Sequence, residues 1–502
     1  MLAKLIDRIG DSNPQLWREL KGHLTGRNLI YVLSASLLIQ GSLLLAFSET
    51  TCTYKKGICT RTLWHYDWLP IFRTLDWIFP LTLFSIGVYT LVADVVRERR
   101  KGTLNFIRLS PQSSENILLG KILGVPCLVY LGILLAMPLH VGAGIAAGVP
   151  VSWIIAFYAL IVAASGFLSC AALLNVSLTQ APYQAIASSF LGAWLGSSFI
   201  GLLEFQLDWN SLTYNDLGDW GWFVFSLGNR MISLNLWMLI TVSVASYWLW
   251  VAANRLFRNP YGTMLSKEQS YWLVGSFQIW LLGLFWSQVN NSVPDSNLLF
   301  GCLFGVSVIS LILLLCVIYG ISPQRQQLLD WARYDRFNSA KSWLDWIKGK
   351  RSPATMAIAL NLAMTGAIWL PWVLLFNATV EDKIKAIAGL LLSANLIWFY
   401  AVLAQLVFLS KRGNSGAWAL SVLSLVILLP IFLLLPLENK VPGLWMFSAF
   451  GSGWMLLEKA SMVTIFFSLL GQWALMVGTN LYLTKHLQRV GESATKQLYH
   501  VQ

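Results

Sequence analysis

Charge is scarce in this 502-residue chain. Asp, Glu, Lys and Arg make up 12% of it, about half the share of an ordinary globular domain. Catalytic signatures are missing as well. There is no Gly-x4-Gly-Lys-Ser/Thr phosphate loop, because Gly120-Lys121 lacks the upstream glycine and the following Ser or Thr. The five histidines are scattered, with no His-Glu-x-x-His and no Cys/His cluster, so no metal-ligand pattern is present. No paired carboxylates fall inside the apolar segments. The one acid close to a helix interior is read as Asp94, with Glu204 at an outer edge. Ion-coupled carriers keep ionisable groups at such depths despite an insertion cost of about 2.5–3.5 kcal/mol each. A transport chain without them would take its energy from elsewhere, and an ATPase on a separate polypeptide is one answer. No cleaved leader is legible: the first 28 residues are polar and mixed in charge, too long for the basic start of a signal peptide. The first apolar run therefore reads as an uncleaved anchor.

What is abundant is apolar sequence. Hydrophobic residues make up 56% of the chain, and the mean hydropathy is +0.62. They come in runs of the length, about 20 residues, that a helix needs to cross a bilayer. A helix satisfies its own backbone hydrogen bonds there. The runs fall at 29–47, 74–95, 116–140, 152–174, 184–204 and 229–253, then at 271–289, 298–320, 355–377, 384–410, 417–436 and 461–483. The expected fold is an all-α polytopic membrane protein with about twelve transmembrane helices.

An even number of crossings puts both termini on one side. Of the 35 Lys and Arg, 26 lie on the side of the N-terminus and 9 on the opposite side. By the positive-inside rule both termini are expected in the cytoplasm. That bias accounts for the net charge of +12 without nucleic acid as a partner. Cys127, Cys170, Cys302 and Cys316 lie in apolar runs as small packing residues. Cys52 and Cys59 flank an outward polar loop, where they either close a disulfide or remain two loop thiols.

The runs also divide into two halves, 1–253 and 254–502, of six helices each. Ser110-Pro111 opens the third helix after a basic stretch, and Ser352-Pro353 opens the ninth after another, 242 residues on. Each half carries an aromatic outer segment before its last helix, 205–228 with Trp209, Trp220 and Trp222, and 437–460 with Trp445 and Trp454. Short re-entrant or interfacial helices fit there; on the rings alone, an aromatic belt at the headgroups is the simpler reading. Transporters often place their pathway at such a repeat interface. Gly192/Gly196 and Gly301/Gly305 have the spacing that lets helices approach closely.

The most specific stretch runs from Arg97 through Glu98, Arg99, Gly102, Thr103, Leu104, Phe106, Ile107, Leu109, Ser110 and Pro111 to Gly120 and Lys121. Gly102 permits a sharp turn, and Thr103 can cap a short helix with an apolar stripe of Leu104, Ile107 and Leu109. Ser110 then caps the next helix, with Pro111 at its first position. Such an amphipathic element either fits a groove on a partner or rests on anionic lipid. Residues 1–28 read as a second interfacial helix, with Leu5, Ile9, Leu16, Trp17 and Leu20 as apolar contacts and Arg18, Lys21 and Arg27 for lipid phosphates.

Glu followed by Gly-Thr-Leu, Ser-Pro and an Ile-Leu-Leu-Gly-Lys helix start resembles the coupling-helix region of ABC-transporter permeases of the second type, mostly exporters. The match covers about 25 residues in motif and about 250 in layout. The resemblance implies a permease of two fused six-helix halves, in a bacterial inner membrane, driven by a separate, dimeric cytoplasmic ATPase. ATP would sit on that partner, leaving no cofactor and no catalytic residue in this chain. It places Glu98, Arg99, Gly102, Thr103, Leu104, Phe106, Ser110, Pro111, Gly120 and Lys121 at coupling positions. Asn105 departs from the pattern, where an acid is usual. In the second half, Trp343, Trp346, Lys350, Arg351, Ser352 and Pro353 form a degenerate second element that shares only Ser-Pro. An ion-coupled secondary carrier and a membrane scaffold without transport remain as alternatives, and the substrate is not readable.

Overall fold

The computed structural model describes residues 10–55, 58–178, 183–218, 220–290, 295–335, 347, 349, 352–410, 415–436, 442–449 and 452–491. The side chains of 51–63 are outside the description, and with them Cys52 and Cys59. Trp343, Trp346, Lys350 and Arg351 of the expected second element also lie outside the described residues, as do Leu5 and Ile9. Among the described residues, twelve helices are long and apolar enough to cross a membrane. The chain is an all-α, multi-pass integral membrane protein. It divides into two compact units, Met1–Trp220 with Ser226–Pro260, and Gly221–Phe225 with Tyr261–Gln502.

The first unit starts with α1 (Pro14–His23) and the first crossing, α2 (Gly26–Ala46). Pro14 suits the first turn, and the Asn13 side chain accepts from the Leu16 N–H. The expected polar loop is instead an antiparallel hairpin, β1 (Ser48–Lys55) with β2 (Ile58–Tyr66), which sets Cys52 opposite Thr62 and Cys59 opposite Tyr54. β-Branched and aromatic residues such as Thr50, Thr51, Thr53, Tyr54 and Ile58 favour the pleat. Next come α3 (Trp68–Arg100) and the short α4 (Thr103–Arg108). Then follow α5 (Ser114–Gly124), α6 (Cys127–Ala147), α7 (Val151–Leu178), α8 (Gln184–Glu204) and α9 (Met231–Arg258). α3 passes through a π-helical stretch, Thr82–Gly87, just after Pro80; proline removes a ladder donor and such widened turns take up the strain.

Several boundaries differ from expectation. The run 116–140 is two helices, because the chain breaks at Val125-Pro126 between α5 and α6. Ser110 and Pro111 lie in the loop before α5, and Ser113 caps it by accepting from the Asn116 N–H at 3.2 Å. Thr103 does not cap α4; Gly102 stands there with φ 75°, and the Thr103 hydroxyl donates to the Glu98 carbonyl at 3.1 Å. Only glycine takes that left-handed turn without strain.

Water does not drive helices together inside a bilayer, so close packing and small residues must. Gly192 and Gly196 do this for α8 against α3. A Cβ at Gly192 would stand 2.0 Å from the Phe84 carbonyl oxygen, and one at Gly196 would stand 3.0 Å from the Phe84 ring. A Cβ at Gly301 would meet nothing within 4 Å, and one at Gly305 would meet the Phe285 ring at an ordinary 3.6 Å, so that pair marks no comparably close approach. The core of the unit gathers Ile71, Phe72, Leu75 and Phe79 of α3 with Trp153, Phe157 and Leu160 of α7.

The second unit holds α10 (Lys267–Val289), α11 (Ser296–Ile321), α12 (Arg325–Asp330), α13 (Thr355–Leu375) and α14 (Val380–Leu409). α15 (Ser415–Leu434), α16 (Pro442–Trp445), α17 (Ser452–Leu457) and α18 (Met462–Gly491) complete it. A Ser266–Gln269 capping box starts α10. α13 begins past Ser352-Pro353, with Ala354 at its cap. The aromatic outer segment forms the short helices α16 and α17, and Trp445 and Trp454 are buried rather than arranged as a belt. Gly389 of α14 makes room: a Cβ there would come within 2.6 Å of the Trp454 ring. Residues 221–225 pack with this unit, as the Phe223 N–H donates to the Gly283 carbonyl at 2.9 Å and the Trp222 indole to the Trp280 carbonyl at 2.9 Å.

Candidate functional site

α4 is too short to hold itself, since isolated helices of that length do not persist in water. It is fixed by what lies on either side. Leu104 and Ile107 turn inward and are buried, while Phe106 (79% exposed) and Leu109 (85% exposed) face out, so Leu109 leaves the stripe expected of it. Arg100, Lys101 and Asn105 are exposed beside them. Arg108 lies over the Phe257 ring of α9 at 5.0 Å, on the wall of a cavity of ≈ 320 Å³ shared with Ser113, Glu115 and Arg258.

The turn preceding α4 is anchored by a buried ion cluster. Lys121 of α5 is fully buried, with Nζ 2.8 Å from Asp94 Oδ2, 2.7 Å from Glu98 Oε2 and 3.6 Å from Glu19 Oε1. The Glu98 contact is an ion pair rather than an aligned hydrogen bond. Arg18 donates to Glu19 Oε1 at 2.8 Å and to Glu98 Oε1 at 2.7 Å, and Arg97 to Asp94 Oδ1 at 2.6 Å. Three cations therefore face three carboxylates, as burial of charge demands. Ligand oxygens of Glu19, Asp94 and Glu98 lie within 4.8 Å of one another, a spacing that a cation would accept. The Lys121 ammonium supplies that cation.

The cluster ties three elements together: α1 through Arg18 and Glu19, α3 through Asp94, Arg97 and Glu98, and α5 through Lys121. Backbones approach closely enough because Gly120 and Gly124 face α1. Cβ atoms there would stand 2.7 Å from the Leu16 nitrogen and 2.5 Å from the Glu19 Cβ. The Asn13 side chain adds a bond to the Asn116 carbonyl at 2.8 Å. Of the coupling residues inferred from sequence, Glu98, Gly120 and Lys121 thus turn inward to the protein's own α1. The Arg99 guanidinium donates to the Val176 carbonyl at the end of α7. Gly102, Thr103, Phe106 and Pro111 remain at the surface, and Leu104 is beneath it. The Gly120/Gly124 spacing was the legible signal for a docked α1.

A second polar centre lies deep in the same unit and corrects the reading that Asp94 is the one acid near a helix interior. Asp76 of α3 is fully buried. Its Oδ1 lies 2.8 Å from His140 Nε2 of α6, whose Nδ1 lies 2.7 Å from the Tyr158 hydroxyl of α7. Asp76 Oδ2 has no hydrogen-bond partner among the described residues. Aromatic rings wall the imidazole, with Phe72 stacked at 4.4 Å and Phe79 and Phe157 at 5.1 and 5.4 Å. One turn from Asp76, Arg73 pairs with Glu204 at 3.1 Å and lies over Trp209 at 4.7 Å, while the Trp77 indole donates to Glu204 at 2.7 Å. The Asp–His–Tyr chain can hold a proton in more than one position without moving a heavy atom, because each ring nitrogen serves as donor or acceptor.

The chain matches no protein-family model, and no curated protein or solved structure shows significant similarity to it.

Proposed function

We propose that the chain is the membrane-spanning permease component of an ATP-driven transporter, an exporter, energised by a separate cytoplasmic ATPase that docks around α4. The observation carrying this reading is the exposed apolar pair Phe106 and Leu109 on a short helix whose preceding turn is anchored by a buried ion cluster. An apolar knob on a surface helix suits a groove on a partner. A rigid anchor beneath it would pass a push to α1, α3 and α5 together instead of losing it in a loop. Arg100, Lys101 and Arg108 add positive charge around the knob, and the 26 to 9 bias of basic residues supports a cytoplasmic position for it and for both termini. The segment's resemblance to ABC-permease coupling helices of the second type supports the partner's class, its dimeric state and a bacterial inner membrane. ATP would be bound by that partner, and the transported substrate is left open.

The test is a photo-crosslinking amino acid placed at Phe106 in the full chain in its native membrane. The expected product is a crosslink to a protein carrying a nucleotide-binding phosphate loop, lost in a Leu109→Asp background. Crosslinks to lipid alone, or to a protein that hydrolyses no ATP, would overturn the reading in favour of a scaffold.

The Asp76–His140–Tyr158 chain supports a second reading, a carrier driven by a proton gradient. Intramembrane ionisable groups of this kind serve as proton relays. In vesicles enclosing a pH dye, that reading expects proton uptake that Asp76→Asn abolishes. An ATP-driven permease expects no uptake in either form.

A further inference from the structure

The cavity of ≈ 320 Å³ beside α4 has an unbalanced charge. Its volume is at the lower end of the range of about 300–1,000 Å³ for small-molecule sites. Arg108, in the last turn of α4, and Arg258, in the last turn of α9, stand on its wall. Neither is ion-paired among the described residues. Arg258 is exposed and has no hydrogen-bond partner among them either. Arg108 is held over the Phe257 ring at 5.0 Å. Its Nη1 reaches the Asn105 side chain only at 3.5 Å, and its Nη2, open to solvent, has no partner among the described residues. Burial first, and then the nearby charge of Arg99, push the Arg108 guanidinium down from its ordinary value. The one acid on the wall is Glu115. Its Oε1 accepts from Asn254 Nδ2 at 3.2 Å, and it pairs with neither arginine among the described residues. Two cations thus face one carboxylate that is engaged elsewhere, and a guest bringing negative charge would be stabilised there.

Position narrows the guest further. α9 runs 28 residues, about 42 Å at 1.5 Å per residue, beyond a hydrocarbon core of about 30 Å. Its last turn, with Arg255 and Arg258, therefore has the length to stand in the headgroup layer. The cavity also meets the first turn of α5 at Ser114 and Glu115, where a helix start adds partial positive charge. Phosphate suits this wall, because guanidinium groups hold its oxygens through paired N–H donors. A membrane surface supplies phosphate already tethered to apolar chains, and Ile117 and Phe257 give the cavity an apolar side to meet them. A choline headgroup would bring its own cation against both arginines. An anionic headgroup would not, and basic pockets at the ends of crossing helices recognise such lipids.

We propose that this cavity binds the phosphate of an anionic membrane lipid, with a headgroup of the phosphatidylglycerol kind, between Arg108 and Arg258. The site lies within the first unit and needs neither nucleotide nor a docked ATPase, so it stands or falls apart from the permease reading. The test titrates the purified full chain in a mild detergent, without ATP, with phosphatidylglycerol or with phosphatidylcholine of the same acyl chains, and counts bound lipid by native mass spectrometry. The first phosphatidylglycerol should bind about tenfold more tightly than phosphatidylcholine. Arg258→Gln, a change at an exposed side chain, should weaken it several-fold, and Arg108→Gln with Arg258→Gln should bring it down to the phosphatidylcholine level. Glu115→Gln removes the opposing charge and should tighten it, an effect that damage to the fold would not produce. Lys485→Gln, at an exposed lysine of α18, should leave it unchanged. Inorganic phosphate in tenfold excess over the lipid should not displace it. Equal binding of the two lipids, an effect of Lys485→Gln as large as that of Arg258→Gln, or indifference to both Arg258→Gln and Glu115→Gln would overturn the proposal. Displacement by inorganic phosphate would overturn it too, by showing that the cavity takes the free ion.

Discussion

Lys121 and Asp76 show how differently a single buried charge behaves according to its company. Lys121 has no exposed surface and meets carboxylates on three sides. Removing it would leave Glu19, Asp94 and Glu98 crowded together, with Arg18 and Arg97 as the remaining cations. Breaking a buried pair by deleting one partner costs about 3–5 kcal/mol, so Lys121→Met should lower the unfolding midpoint of the purified protein by several degrees. Arg18 is 47% exposed at its side chain, and a solvent-screened pair contributes about 0–1 kcal/mol; Arg18→Met should shift the same transition far less. Thermal unfolding in one detergent, followed by tryptophan fluorescence, compares them, and equal effects would show that the cluster is not held by its lysine. Asp76 has a different setting, a hydrogen-bonded chain among aromatic rings with one carboxylate oxygen unpartnered. It was easy to pass over in sequence because Asp76 and His140 lie 64 positions apart, each among largely apolar neighbours. Nothing in linear spacing joins two such residues until the helices pack.

At the scale of elements, the first unit's decisive joint is α1 lying on α5. Its geometry needs the two glycines, since a side chain at Gly120 would run into the Leu16 backbone nitrogen. Overpacking of this kind costs about 1–3 kcal/mol, and here it can be relieved by letting α1 go. Gly120→Leu should therefore increase hydrogen exchange across residues 14–23 while α6 and α7 keep their protection. Gly22→Leu, at a position open to space, should change neither; uniform loss of protection across the unit would show that the helix is not a separable clamp. The existence of the crossing helices was legible because length and apolarity are local properties, and the run 184–204 matches α8 end to end. The caps and the break at Val125-Pro126 were not, since Ser110, Ser113 and Thr103 are equally good cap residues by type and tertiary packing chose among them. The β1–β2 hairpin was hidden for a different reason: residues 48–62 hold few apolar side chains, so no hydrophobic alternation marks the strands. Trp445 and Trp454 looked like belt residues because indole is at home at the headgroups; the space beside Gly389 that buries Trp454 exists only once α14 and α17 meet.

At the scale of the whole molecule, the distribution of charge and the path of α3 make one joint statement about sidedness. α3 runs 33 residues without interruption, about 50 Å at 1.5 Å per residue, more than the hydrocarbon core of about 30 Å. The β1–β2 hairpin precedes its start and α4 follows its end, so the two must lie on opposite faces of any membrane that α3 crosses. Basic residues then decide which face is which: residues 97–121 carry six Lys or Arg and residues 48–73 carry four, and the same sign of bias recurs along the chain. Translocating Lys and Arg is disfavoured where they flank short connections, so the α4 face should be cytoplasmic. A membrane-impermeant maleimide applied to intact cells should label a cysteine placed at Trp64, which is 75% exposed, in a chain otherwise carrying Cys52→Ser and Cys59→Ser. A cysteine at Phe106 should react only after the membrane is permeabilised. Labelling in the reverse order would put α4 outside, where no ATP-hydrolysing partner could reach it, and would remove the permease reading while leaving the helices and the ion cluster as they are.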